Sequence, residues 1–276
     1  MVADRYDGNM ESGISLKDAS ACWDRPGHSQ MEYSISSSHV IRNWDSILAS
    51  NISKTHLLQF LYEQWWNLAH IIPDGVTVVL TGGFENRQEV RIVRNRNTSL
   101  KEKDKDDDIV KLVSSTQEEA DTRLFMSIAA CIHVGCSRVV IKASDTDIVV
   151  ISVYVYDYLA ARGLKELYMQ TKDYFIPIHQ IIEVIDADEA KMLPLVHALS
   201  GCDTTSFFCG KSKKTFYAAT YIHKADLARI CSQLENDNIS TSLIDQIITV
   251  TKSATIAAYH PQEFNNLNAL RHHLIC

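Results

Sequence analysis

Residues 138–156 read RVVIKASDTDIVVISVYVY, and this apolar stretch, broken by two closely spaced acids, decides the predicted fold. Residues 138–143 are rich in β-branched side chains, which is typical of a buried strand. Residues two apart in extended backbone point the same way, so we expect Asp145 and Asp147 side by side at the strand's carboxyl end. Residues 148–156 fit a strand by composition and a helix by their position after an acidic turn, and both interpretations stay open.

The sequence on either side of this stretch alternates predicted helices with predicted strands. Residues 118–132 and 187–199 are predicted to be helices, and residues 165–169 are predicted to be a second strand. Strands that alternate with helices indicate a parallel sheet covered on both faces. We therefore expect an α/β fold of three layers, α/β/α, around a mainly parallel central sheet.

The N-terminal half is expected to add a helical segment and a hairpin to this core. The apolar spacing in residues 43–70 fits one or two amphipathic helices. Residues 76–80 are β-rich and residues 89–93 alternate, which predicts a hairpin or two adjacent strands. Residues 101–108, KEKDKDDD, contain no apolar side chain and are predicted to be a solvated loop.

A single domain is expected over the whole chain. The expected layout is a loop and helical insertion at 8–75, a core with the acidic site at 76–216, and C-terminal helices at 217–276. Val2-Ala3 is too short for a strand, although it leads into an acid, Asp4, that is expected at a strand's end. We therefore expect the domain to be truncated at its N-terminus.

Composition limits the classes of protein and of partner. Charged residues make up 22% and apolar residues 46% of the chain, as in ordinary globular proteins, and no apolar run reaches membrane-span length. The seven cysteines form no CxxC pair, which favours reduced thiols in an intracellular protein, nuclear or cytoplasmic. The net charge of −7 argues against a surface coated with nucleic acid, so any phosphate contact is expected to be local.

Two further acidic positions are candidates for chemistry. Glu119 and Asp121 could meet one site only near a loop-to-helix junction, because residues two apart on a helix do not share a face. Thr116 and Glu119 also form a capping-box pattern, which is the interpretation that these residues favour when taken alone. Asp203 is predicted to follow the end of an apolar helix, at the negative pole of its dipole, where binding a cation would account for an acid.

Two other motifs near Asp203 are not favoured. The tripeptide Gly210-Lys-Ser suggests a phosphate-binding P-loop, but the glycine that this motif needs five residues earlier is Thr205. A zinc site of His197, Cys202 and Cys209 lacks any standard ligand spacing.

The acidic motifs occur in a recognisable order: Glu119-Ala-Asp121, Ser-Asp145-Thr-Asp147, Gly-Cys-Asp203 and Gly210-Lys-Ser-Lys-Lys. This ordered set resembles the PIN-like nuclease core of flap endonucleases and XPG-type repair enzymes. In that family Glu-Ala-Glu, Asp-x-Asp and Gly-x-Asp motifs supply metal-binding acids, and a glycine-rich helical turn grips a DNA phosphate. The stretches STQEEADTRLF, SDTDIVV and LPLVHALSGCDTTSFFCGKSKKT also resemble uncharacterised invertebrate proteins that look like divergent relatives.

The resemblance implies a site for two Mg²⁺ or Mn²⁺ ions and a nucleic-acid substrate. Among the acids, Glu119, Asp145 and Asp147 would be central to catalysis. The resemblance favours a metal-ligand role for Glu119 over the capping box. The full implied ligand set is Asp4, Glu119, Asp121, Asp145, Asp147 and Asp203. The implied phosphate-binding turn is Gly210, Lys211, Ser212, Lys213 and Lys214. The alternative interpretation is that its lysines form the solvated basic start of a helix.

The chain departs from the family's pattern in four places. The family opens with a strand that carries its own metal-site Asp, and this chain begins after it. Ser212 replaces the second glycine of the turn, and Asp121 is one methylene shorter than the usual Glu. The basic residues expected after Ser15-Leu-Lys17 are replaced by Ala21, Cys22 and Trp23.

Three functions are therefore expected in descending order. The first is metal-dependent hydrolysis of phosphodiester bonds in DNA or RNA. The second is a non-catalytic relative that binds nucleic acid or protein, which the departures favour. The third is a metal-dependent phosphohydrolase that acts on small phosphate esters. One fold can host many functions, so the geometry of the site has to decide among these three.

Overall fold

A computed structural model describes residues 35–38, 40–42, 44–48, 51–81, 90–93, 103–114, 120–202, 205–235, 239–259, 264 and 266–275. The chain divides into two compact units, Met1–Ser137 (unit 1) and Arg138–Cys276 (unit 2). The single-domain layout stays a prediction. Within the described ranges, no helix is both long enough and apolar enough to cross a membrane.

Unit 1 combines two short strands with helices. Strands β1 (Val78–Thr81) and β2 (Val90–Val93) pair antiparallel, with Val78 opposite Val93. Leu80 and Val93 are buried in an apolar cluster with Tyr62, Ala69 and Ile72, so the segment that precedes β1 covers these side chains. The helices of this unit are α1 (Trp44–Leu48), α2 (Asn51–Asn67), the short 3-10 helix Ala69–Ile71, α3 (Lys103–Val113) and α4 (Ala120–His133).

Helix α3 shows that the loop predicted at residues 101–108 is wrong from residue 103 onward. Ile109 and Val113 are four residues apart, so they lie on one face of the helix. They are 6% and 3% exposed, and they share an apolar cluster with Ala130 of α4. The apolar residues that follow the charge run therefore give the helix a face to bury.

Unit 2 contains a sheet of three strands in the order β3–β4–β5. β3 (Arg138–Lys142) runs parallel to β4 (Glu166–Gln170), and β5 (Phe175–Pro177) runs antiparallel to β4. Arg138 joins the first two strands by donating hydrogen bonds of 2.9 and 2.6 Å to the Glu166 carboxylate. These bonds stabilise the ionised form and lower the pKa of Glu166.

The rest of unit 2 is helical. Its helices are α5 (Thr146–Ala160), α6 (Ile178–Val184), α7 (Ala187–Ser200), α8 (Lys213–Thr220), the 3-10 helix Tyr221–His223, α9 (Lys224–Leu234), α10 (Thr241–Tyr259) and α11 (Leu267–Ile275). α5 packs against α6 and α7, and α6 also packs against β4. One apolar core joins four of these helices, and its most buried side chains are each at most 1% exposed. They are Met192 of α7, Phe216 of α8, Leu227 of α9 and Ala254 of α10. Burying each of the three larger side chains stabilises the unit by about 2 kcal/mol.

The predicted three-layer α/β/α fold with a mainly parallel central sheet is wrong. Helices dominate the described residues, whose strands form one sheet of two strands and one of three, with a single parallel pair. Residues 148–156, which could have supplied a further strand, lie in α5 instead. Within the described residues, the three-stranded sheet also has an open face, on which Val140 is 49% and Phe175 is 55% exposed, so their helices do not cover both faces.

Gly201 follows α7 and sets the direction of the chain toward α8. Its φ is +104°, and a Cβ built there would lie 2.6 Å from the Cα of Phe207. Only glycine adopts this backbone readily, and only glycine leaves room for the Phe207 backbone.

Replacing Gly201 with Ala should lower the free energy of unfolding by about 3 kcal/mol, because backbone strain and a backbone clash add together. Gly210→Ala is the matched control, since its φ of +69° also favours glycine but nothing lies within 4 Å of the added Cβ. The control should cost about 1 kcal/mol. Urea denaturation measures both losses, and equal losses would contradict the close approach at Gly201.

Candidate functional site

Asp145 lies where β3 passes into α5. It is the N-cap of α5, and its Oδ1 accepts a hydrogen bond of 3.0 Å from the backbone N–H of Asp147. An aspartate is favoured here because it satisfies an otherwise unpaired N–H and because its charge complements the positive end of the helix dipole. This contact favours a helix at the start of the apolar run that follows.

Asp147 is the second residue of α5, and its side chain is 35% exposed. Its Oδ1 lies 2.7 Å from Nε2 of His197, which belongs to the last turn of α7 and has a side chain that is 11% exposed. An ionised carboxylate only accepts hydrogen bonds, so we assign the hydrogen to Nε2 of His197. The short distance is typical of a hydrogen bond to a charged acceptor.

Lys213 completes a chain of three polar side chains. Its Nζ lies 3.2 Å from Nδ1 and 3.3 Å from Nε2 of His197, and it is the first residue of α8. The ammonium is therefore nearly equidistant from the two ring nitrogens and is not aligned with either one of them. The Asp147–His197–Lys213 cluster therefore places a carboxylate and an ammonium in contact with one mostly buried imidazole.

The turn before α8 is held in place by α10. Gly210 has a φ of +69°, and the hydroxyl of Tyr259 donates a hydrogen bond of 2.6 Å to the carbonyl of Cys209. Lys211 places its Nζ 4.8 Å from the centre of the Tyr259 ring, within the range of a cation–π contact. Loss of water around Tyr259 raises the pKa of its hydroxyl, with a smaller contribution from the Cys209 thiol, so this group stays a donor.

Ser212 caps α8, since its hydroxyl accepts a hydrogen bond of 3.2 Å from the backbone N–H of Thr215. Serine is a favoured N-cap, which explains why the helix starts at Lys213. Lys214 is exposed on the first turn. The three lysines of the turn therefore differ: Lys211 lies over an aromatic ring, Lys213 contacts His197, and Lys214 faces solvent.

Of the six predicted metal ligands, Asp145 and Asp147 both lie at the β3–α5 junction, where the Asp145 carboxylate accepts from the backbone N–H of Asp147 and the Asp147 carboxylate contacts His197. Asp121 lies in the first turn of α4, in unit 1. The predictions for Asp4, Glu119 and Asp203 fall outside the described residues. In the part of the chain that the structure describes, no group of three or more His, Cys, Asp and Glu side chains is suited to holding a metal ion.

The two carboxylates at this junction are of the type that a hard divalent cation prefers. Mg²⁺ keeps several waters and is commonly bound by one or two carboxylates together with substrate phosphate. Asp145 is exposed and Asp147 is partly exposed, so both are accessible to a hydrated ion. Each carboxylate also accepts a hydrogen bond from the protein, which fixes its orientation without using all of its lone pairs.

Sequence reasoning missed the role of His197, which it considered only as an unfavoured zinc ligand. Its partners lie 50 and 16 residues away, at Asp147 and Lys213. The sequence does contain one signal, which is a histidine near the end of an otherwise apolar helix. A buried polar side chain needs a hydrogen-bond partner, so such a histidine indicates a polar contact. The identity of that partner depends on how α5, α7 and α8 pack, which no local pattern records.

Comparisons of the chain with protein-family models, with curated proteins and with solved structures find no match. The chemistry of the site therefore carries the functional argument.

Asp145→Ala should lower the free energy of unfolding by about 1 kcal/mol, because the N-cap of α5 is removed. Asp145→Asn should lower it by less than about 0.5 kcal/mol, since asparagine caps as well as aspartate does. Urea denaturation followed by far-ultraviolet circular dichroism measures the difference. An equal loss in both variants would contradict the capping role and would show that the charge itself stabilises the fold.

Proposed function

We propose that this protein is a divalent-metal-dependent hydrolase of phosphodiester bonds in nucleic acid, with Asp145 and Asp147 as metal ligands. One observation carries the proposal: the Asp147–His197–Lys213 cluster brings the acidic end of β3 beside the lysine-bearing start of α8. A metal-binding acidic pair next to cationic and backbone N–H groups suits a phosphate-containing substrate. The remaining predicted ligands, including Glu119 and Asp203, stay part of the proposal.

Bound Mg²⁺ or Mn²⁺ would supply an activated water and stabilise charge on the leaving oxygen. Asp145 and Asp147 contribute hard oxygen ligands at a fixed helix start. Lys214 and the backbone N–H groups that begin α8 are proposed to bind a phosphate of the same strand, away from the bond that is cut. Lys211 and Lys213 add positive potential there while they keep their contacts with Tyr259 and His197.

A second candidate is a non-catalytic module that binds nucleic acid or protein. It is favoured by the internal partners of the cluster, because Asp145 caps α5 and Asp147 accepts from His197. Both carboxylates therefore have a structural role that requires no cation. The two candidates make opposite predictions for metal binding, which separates them experimentally.

The wild-type protein should bind Mn²⁺ and cleave single-stranded or branched nucleic acid when Mg²⁺ or Mn²⁺ is present. Asp145→Asn and Asp147→Asn should each weaken Mn²⁺ binding at least about 10-fold, because one anionic ligand is removed. Cleavage should fall by about 100-fold, equivalent to about 3 kcal/mol of transition-state stabilisation. Calorimetric Mn²⁺ titration and single-turnover cleavage measure these effects.

The control for substrate class is p-nitrophenyl phosphate, which should not be hydrolysed. Its hydrolysis in place of nucleic acid would point to a small-ester phosphohydrolase. Nucleic-acid binding without Mn²⁺ binding would contradict the hydrolase and support the non-catalytic module.

Lys211→Ala combined with Lys214→Ala should weaken DNA binding and reduce its salt dependence, because fewer counterions are released. The slope of log affinity against log salt should fall by about 1 for each phosphate that a lysine no longer neutralises. Lys172→Ala combined with Lys191→Ala is the control, since both lysines are exposed in unit 2 and the change in net charge is identical. If the two double variants lower DNA affinity equally, Lys211 and Lys214 contribute only to the general surface charge and do not form a phosphate-binding site.

A further inference from the structure

His197 is a polar side chain in a mostly apolar setting. It lies in the last turn of α7, next to Val196, which is 3% exposed in the helical core, and its own side chain is 11% exposed. A polar group costs free energy when it is buried without hydrogen bonds, so its contacts need an explanation. Both of its polar neighbours, Asp147 and Lys213, belong to the proposed site.

We propose that His197 is a positioning residue that orients Asp147 for metal binding, and that Lys213 holds the imidazole in the required position. This role rests on the proposed function, because it assigns a purpose to the contact only if Asp147 binds a cation. It also changes the expectation for Lys213, which the sequence places among phosphate-binding residues.

The hydrogen bond explains how His197 would act. The Nε2–H of His197 holds Oδ1 of Asp147 at 2.7 Å, which restricts rotation of the carboxylate and assigns Oδ2 to the cation. Metal-binding carboxylates are commonly fixed by such partners, and removing the partner weakens metal binding by about 10- to 100-fold. A less restricted carboxylate loses more conformational entropy when it binds a metal ion, which weakens binding.

Lys213 is the second side chain that restricts the imidazole. Its backbone is fixed at the start of α8 by the Ser212 cap, and its ammonium lies across the ring at 3.2 and 3.3 Å from the two nitrogens. An ammonium only donates hydrogen bonds, and with the hydrogen of His197 on Nε2 the acceptor within its reach on the ring is Nδ1. Lys213 therefore acts on Asp147 through His197 and not as a ligand.

The test compares Mn²⁺ affinity among full-length variants by calorimetric titration. His197→Phe removes the donor and keeps a ring, so it should weaken Mn²⁺ binding by about 10- to 100-fold. His197→Gln should stay within about 3-fold of wild type, because the glutamine amide places an N–H donor where Nε2 lies. Lys213→Met should weaken binding, whereas Lys191→Met, at an exposed position of α7, should not change it.

The outcomes separate this role from the proposed function. No Mn²⁺ binding by the wild-type protein overturns both. Mn²⁺ binding that is equal in wild type and His197→Phe overturns the positioning role alone. Equal losses in His197→Phe and His197→Gln, with unchanged melting temperatures, overturn the hydrogen bond as its cause.

A second measurement covers the case in which His197→Phe does not fold. In metal-free protein labelled with nitrogen-15, the His197 ring should carry its hydrogen on Nε2, and that resonance should shift in Asp147→Asn. An Nε2 resonance that this variant leaves unchanged overturns the contact on which the role depends.

Discussion

The hydrogen bond from the backbone N–H of Asp147 to the side chain of Asp145 fixes where α5 begins in unit 2. It caps the first turn of α5 shortly after β3 and so favours a helix for the β-branched run that follows, which packing against α6 and α7 then stabilises. The sheet then keeps three strands, and α5 packs against α7. The same turn places Asp147 within 2.7 Å of His197. The cap therefore fixes the start of α5 and, with it, the position of Asp147 in the polar cluster.

Most secondary structure of unit 2 follows from local pattern, whereas its sheet does not. The strand at residues 138–143 and the helix at 187–199 correspond to β3 and α7, because β-branched content and apolar periodicity are local properties. The alternation of predicted strands with predicted helices suggested a larger parallel sheet, but alternation does not record which strands pair. In unit 1, β1 and β2 pair with each other as the predicted adjacent strands. In unit 2, β5 adds an antiparallel edge to β4, which depends on tertiary packing and was not predicted.

The contacts of the candidate site differ from those that strand alternation predicts. Alternation predicted that the Asp145 and Asp147 side chains point the same way, whereas the structure shows the Asp145 carboxylate on the backbone N–H of Asp147 and the Asp147 carboxylate on His197. His197 was not predicted as their partner, since its contact with Asp147 spans 50 residues. The site joins acids to lysines in a chain whose net charge is −7, so any attraction for phosphate is local and sensitive to salt.

The most direct test of this account is nuclear magnetic resonance of the labelled protein during addition of substoichiometric Mn²⁺. A paramagnetic ion broadens resonances near its binding site, and the measurement requires neither a substrate nor a folded variant. The account predicts selective broadening of the backbone amides of Asp145 and Asp147, and of the His197 ring, reversed by excess Mg²⁺. Uniform broadening, or selective broadening only at residues remote from the β3–α5 junction, would contradict it.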